Sequence, residues 1–217
     1  SSCCCPSEAE SDRQEATAGT RHSADCMVCG APLRYRSKAA PKACHYCGRK
    51  QPANAVCAEG HFVCDGCHSR DALEVIRHLL NHATERDMIA LLARIRRHKA
   101  IPVHGPEHHS LVPGILVTAY RNAGGRVGTA EIDQAVLRGA SVVGGSCAFL
   151  GVCGAAAGVG TAFSILQKTT PYDGKGRQRV QQAVSRVLAD IASLDAPRCC
   201  QRDSWVALRR AAELSES

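Results

Sequence analysis

Between residues 26 and 67 the cysteines fall into spaced pairs: Cys26 and Cys29, Cys44 and Cys47, and Cys64 and Cys67, with Cys57 and His61 set slightly wider. A C-x-x-C pair on a tight turn sets two sulfurs on one tetrahedral ion, so this stretch is constrained to fold about metal rather than about an apolar core. Taken in order, Cys26, Cys29, Cys44 and Cys47 have zinc-ribbon spacing, with Gly30 and Gly48 following each pair where a tight turn needs them. Cys57, His61, Cys64 and Cys67 form a second quartet, in which His68 rivals His61. The eight ligands suit two zinc ions. The pairs can bind in sequence or interleave, and spacing alone leaves both arrangements open. Four-ligand shells of this kind are closed and structural.

Fourteen cysteines in 217 residues would signal disulfides in a small secreted domain. At metal spacing they indicate a reducing, cytoplasmic setting instead. The formal charge of +7 overstates the basicity. A Cys4 zinc site adds a net charge of −2 and a Cys3His site −1, which brings the chain to about +4. That is a mild excess, although Arg34, Tyr35, Arg36, Lys38, Lys42, Arg49 and Lys50 lie on the first ribbon and suit a nucleic-acid surface or a merely solvated one. Residues 1–23 are polar and without period and read as a disordered tail or linker, in which Cys3, Cys4 and Cys5 are a remnant or a carried thiol. Residues 24–70 form the zinc module and 71–217 an all-α domain.

In that domain the periodicity predicts helices over 71–82, 84–98, 110–122, 129–138, 177–193 and 203–214, with Thr84 and Asp87 as a capping box and Thr129 as a cap. Between them, Gly139–Leu166 carries no charge over 28 residues. A membrane span needs about 20 predominantly apolar residues. This run has seven glycines and only nine Val, Ile, Leu or Phe, so a buried Gly/Ala-rich central helix is the better reading. No association with a membrane is expected.

Three stretches hold most of the remaining reactive side chains. They are HGPEHH with His104, Glu107, His108 and His109; GGSCAFLGVCG with Cys147 and Cys153; and RCCQRDSW with Cys199, Cys200, Arg202 and Asp203. Each falls at a helix start, where amide N–H groups lower thiol pKa and hold anions. Four thiols from two stretches suit an iron–sulfur cluster or zinc, with His104 and His108 as ligands or proton carriers, Glu107 as base or orienting group, and Arg202 to neutralise charge. Buried structural cysteines and a dithiol switch are the alternatives.

At these residues the chain resembles bacterial and archaeal proteins grouped only as a domain of unknown function. The resemblance is carried by GHFVCDGCH at Gly60–His68, HGPEHH at His104–His109, Gly144–Ala156 and Arg198–Ser204. It runs from about Cys26 to Leu214. It implies attachment, upstream or in trans, to methyltransferase or radical-SAM modules, and it implies no activity or cofactor. The functional expectation is a metalloprotein with structural zinc and a second Cys/His site for redox, sulfur-transfer or methyl-transfer chemistry. The alternative is a zinc-dependent adaptor that binds nucleic acid or a partner protein without catalysis.

Overall fold

The computed structural model describes residues 26, 28–29, 31–45, 48–65, 70–98, 100–195 and 199–216. The 1–23 tail with Cys3, Cys4 and Cys5 lies outside them, as do Gly30, Cys47, Cys67, His68 and Arg198. Strands β1 (Leu33–Ala43) and β2 (Lys50–Cys57) pair antiparallel, from Leu33 opposite Cys57 to Ala43 opposite Lys50, with an irregularity between Tyr35 and Ala40. The rest is helical: α1 (Arg70–Asn81), α2 (Met88–Arg96), α3 (Glu107–Asn122), α4 (Thr129–Ala140), α5 (Ser146–Phe149), α6 (Gly154–Leu166), α7 (Gly174–Ala192) and α8 (Cys200–Glu216). The chain is thus mainly helical, with a small two-stranded sheet near its start.

Several boundaries differ from the sequence reading, each for a local reason. Helix α2 begins at Met88, four residues later than expected, because Asp87 and not Thr84 is its cap: Asp87 Oδ1 accepts from the amides of Ile89 (2.7 Å) and Ala90 (3.1 Å). Helix α3 begins at Glu107 rather than Ser110, running through the two histidines and Pro113. Thr129 is the first residue of α4, not its cap; Glu131 Oε2 instead accepts from the Gly128 amide at 2.8 Å. Helix α7 starts at Gly174, three residues early, capped by Asp173 on the Gly176 amide. Helix α8 starts at Cys200, three residues before the expected Asp203.

The uncharged run is broken, not continuous. Left-handed glycines at Gly145 (φ 79°) and Gly151 (φ 66°) isolate the single turn α5 from α6. At about 1.5 Å per residue, a 13-residue α6 is roughly 20 Å long, short of the roughly 30 Å hydrocarbon core. Among the described residues no helix is long and apolar enough to cross a membrane. Helix α6 is buried as expected, but α3 is buried more deeply: every residue from Glu107 to Ala119 lies in the interior. Helices α1, α2, α4, α6 and α8 all pack on it.

Missing side chains make these crossings close. A Cβ on Gly158 would lie 2.8 Å from Pro113 Cδ, and one on Gly139 would lie 2.4 Å from the His109 carbonyl oxygen. Pro113 has no N–H, so that carbonyl lacks its usual donor four residues on, and the α4 backbone comes up against it. Gly139→Ala is therefore expected to destabilise the fold by about 1–3 kcal/mol, through overpacking against backbone that cannot give. Gly174→Ala, with nothing within 4 Å, should be neutral or slightly stabilising. Urea titrations followed by circular dichroism measure both.

Candidate metal centre and thiol junction

Cys26 and Cys29 precede β1, and Cys57 closes β2 opposite Leu33, so the hairpin brings its two ends together. Gly60, in the left-handed region at φ 80°, donates its amide to the Cys57 carbonyl and turns the chain so that His61 faces back. Cys26, Cys29, Cys57 and His61 then present ligand atoms all within 4.8 Å of one another. Cys29 Sγ lies 3.8 Å from Cys57 Sγ, and His61 Nδ1 lies 3.3 Å from Cys29 Sγ and 3.5 Å from Cys57 Sγ.

These lengths test whether an ion fits. A tetrahedral zinc with Zn–S of about 2.3 Å and Zn–N of about 2.0–2.1 Å has S–S edges of about 3.8 Å and S–N edges of about 3.5–3.6 Å. One ring nitrogen facing two sulfurs at those distances has the geometry of ligands about a shared ion. The His61 N–H donates to Cys57 Sγ at 3.2 Å. Burial pushes the Cys26 thiol up, but the Val28 and Cys29 amides outweigh it and leave its pKa lowered.

Cys44 is not in this group. The eleven-residue strand β1 stands between it and Cys29 in the chain, and the group of ligand atoms that comes together takes Cys57 and His61 in its place. Cys44 instead meets Cys64, whose amide donates to Cys44 Sγ at 3.3 Å, both side chains being buried. The Cys44 amide bonds to the carbonyl five residues on, at Arg49, as the Cys26 amide does at Ala31; both are 2.9 Å. The two C-x-x-C stretches therefore share this closing hydrogen bond. His45 bonds to the Phe62 carbonyl and stacks edge-on against His61, with centroids 5.2 Å apart, tying the two ends of the hairpin.

In the helical part, the three reactive stretches come to the starts of α3, α6 and α8, which pack on one another. Cys153 caps α6 and lies 3.5 Å from Asp203 Oδ2, in the first turn of α8. Asp203 is 1% exposed, and its other oxygen accepts from Arg202 at 2.9 Å. Cys199 also bonds to the Asp203 carboxylate, and the Gly105 amide donates to Cys200. The His109 ring covers the start of α6: a Cβ on Gly154 would lie 2.1 Å from His109 Cδ2, and His109 Nδ1 donates to the Val142 carbonyl at 2.9 Å.

The chain belongs to a family of unknown function, DUF5714. The family model matches residues 76–217, from within α1 to the last residue. No curated protein and no solved structure matches the chain. The DUF5714 part thus contains all three reactive stretches, whereas the metal centre and Gly60–His68 fall before it, so the family covers less than the expected span from Cys26.

Within the DUF5714 part Cys153, Cys199 and Cys200 are held toward the neutral thiol. Burial pushes Cys153 up to about 11 against the pull of the Ala155 and Ala156 amides, and the Asp203 charge adds to it. Burial, then the hydrogen bond to Asp203 and its charge, pushes Cys199 up to about 12. Burial raises Cys200 too, despite the Gly105 amide. The expectation that helix starts would lower these thiols is therefore reversed, because desolvation and a buried carboxylate outweigh the amides. Cys147 is exposed on α5. The thiols of Cys147, Cys153, Cys199 and Cys200 do not gather at single-ion spacing as the Cys26 group does.

Glu107 and His108 are buried at the start of α3, and His104 is half-buried just before it. Burial holds His108 neutral, with its pKa lowered. Its Nε2 donates to the Pro102 carbonyl at 3.0 Å, which leaves Nδ1 as a buried acceptor with no hydrogen-bond partner among the described residues. Asp203 and His109, which stood in the reactive stretches without a role, are the residues that join them. Their burial at a helix start was the missing signal, and it follows only once α3 and α8 are known to begin early.

Asp203→Asn gives a signed test. The carboxylate raises both neighbouring thiols, so its removal lowers their pKa and increases thiolate at a given pH. Iodoacetamide labelling of Cys153 and Cys199 in reduced, metal-free protein at pH 9, read by peptide mass spectrometry, should rise several-fold in the variant. Labelling of exposed Cys147 should not change.

Proposed function

We propose that the chain is a zinc metalloprotein in which a cross-braced, two-ion module is joined to a helical domain centred on a thiol–carboxylate site. The first ion is held by Cys26, Cys29, Cys57 and His61, and the second by Cys44, Cys47, Cys64 and Cys67. The observation that carries this reading is the match of the three edges among Cys29, Cys57 and His61 to a tetrahedral zinc shell. Support for the second ion comes from the Cys44–Cys64 contact and from the closing hydrogen bond that Cys44 shares with Cys26. Closed shells of this kind are structural: they supply folding energy where the hairpin has little apolar core.

The chemistry is assigned to the junction of α3, α6 and α8. Cys147, Cys153, Cys199 and Cys200 supply sulfur, Asp203 holds the protonated thiols in place as a hydrogen-bond acceptor, and Arg202 balances the carboxylate. Glu107, His104 and His108 lie beside them as proton carriers, with neutral His108 offering its Nδ1 lone pair. Redox or sulfur-handling chemistry fits this donor set. A second reading, an iron–sulfur cluster on the same four cysteines, is favoured by their convergence from two stretches onto three helix starts.

Elemental analysis with a visible spectrum on anaerobically purified protein tests both readings. About two zinc per chain is expected, unchanged in Cys153→Ala/Cys199→Ala. Iron with a broad visible band, both lost in that variant, would establish the cluster. A chain that folds with no bound zinc would overturn the proposal.

A further inference from the structure

From Cys26 to Ala58 the chain contains no Asp or Glu and six basic residues, namely Arg34, Arg36, Lys38, Lys42, Arg49 and Lys50. All six lie on the hairpin or its turn. Residues 34–39 of β1 are exposed throughout, and Tyr35 is 62% exposed. Successive strand residues alternate faces, so Arg34 and Arg36 share one and Tyr35 takes the other. Both faces of β1 are therefore open over residues 34–39.

Some exposed arginines of the helical domain are neutralised: Arg77 by Asp133 (2.8 Å), Arg94 by Glu85 (2.9 Å) and Arg210 by Asp190 (2.6 Å). Arg34, Arg36 and Lys38 have no carboxylate partner among the described residues. A partner protein that adds a strand is disfavoured, because Pro41 lies opposite Pro52 and neither can donate from the ribbon. What the strand offers is unpaired positive charge on one face and an exposed aromatic ring on the other.

We propose that the β1–β2 hairpin is a nucleic-acid-binding ribbon, with Arg34, Arg36 and Lys38 on backbone phosphates and Tyr35 against a base. A two-stranded ribbon fits the major groove of a duplex, and a basic strand with an aromatic platform fits a single strand. The phosphate contacts are common to both. The inference rests on the zinc-held module only in that the hairpin must be folded, and it is independent of the thiol junction.

The test uses zinc-loaded full chain and fluorescence anisotropy with a labelled 20-nucleotide single strand and the matching duplex, from about 50 to 200 mM salt. Three phosphate contacts give a slope of log K against log salt of about −2 on the single strand and about −3 on the duplex. Arg34→Ala/Arg36→Ala/Lys38→Ala should remove most of that slope and weaken binding at least tenfold, with zinc content unchanged. A charge-matched Lys175→Ala/Arg177→Ala/Arg186→Ala variant on α7 should bind within about twofold of wild type. Tyr35→Ala should weaken the single strand several-fold and leave the duplex unchanged if the single strand is the ligand; equal loss or none on both makes the duplex the ligand. No binding at 50 mM salt, equal loss in the two triple variants, or preference for phosphatidylserine vesicles over both nucleic acids would overturn the proposal. Zinc content, read on the same samples, separates that failure from failure of the metal reading.

Discussion

Helix α3 is buried along thirteen successive residues, and the first four of them are Glu107, His108, His109 and Ser110. An apolar interior penalises such groups unless each finds a partner, so the surrounding elements are committed to supplying partners. Val142, after α4, accepts from His109, Val136 within α4 accepts from Ser110 Oγ at 2.9 Å, and Pro102 accepts from His108. The same requirement explains the glycines. Gly139 and Gly154 lie where α4 and α6 must reach the α3 backbone and the His109 ring, leaving no room for a side chain. The polar start of one central helix thereby fixes the paths of its neighbours and brings the cysteines of α6 and α8 to the same place.

The module before it is organised on a different principle. Its hairpin buries little beyond Ala53, Val56 and its cysteines, so apolar burial alone would leave it marginal. On the proposed reading, metal ligation from both ends of the hairpin would supply what the core lacks. A link to the helical domain is visible at Asp65, directly after Cys64, whose carboxylate accepts the Gly144 amide at 2.9 Å. Gly144 opens the stretch that carries Cys147, so the order of the second knuckle and that of the thiol-bearing loop are physically connected.

Much of this was legible in the sequence. The C-x-x-C pairs announced a metal module, six helices fell near their periodic stretches, and the reactive residues pointed to three helix starts that do converge. What was not legible depended on the third dimension. Spacing cannot say that β1 separates Cys29 from Cys44, because a ribbon and an interleaved brace use the same intervals. Helix α3 hid its first turn behind Glu107, His108 and His109, a polar run with no apolar period to mark it as part of a buried helix. The Cys153, Cys199 and Cys200 pKa values go the opposite way to expectation because the thiols are themselves desolvated, with nearly fully buried Asp203 adding to the shift, and that burial follows from packing rather than from neighbours in the chain.

The pairing of ligands across the hairpin is the claim on which the rest of the module depends, and zinc counts on paired substitutions test it most directly. Cys29→Ser/Cys57→Ser damages one ion in the cross-braced arrangement but both in the sequential one, because there the two residues belong to different shells. The account predicts that this variant retains about one zinc per chain, whereas Cys29→Ser/Cys44→Ser retains none. The opposite pattern, with zinc lost entirely in the first variant and half retained in the second, would contradict it.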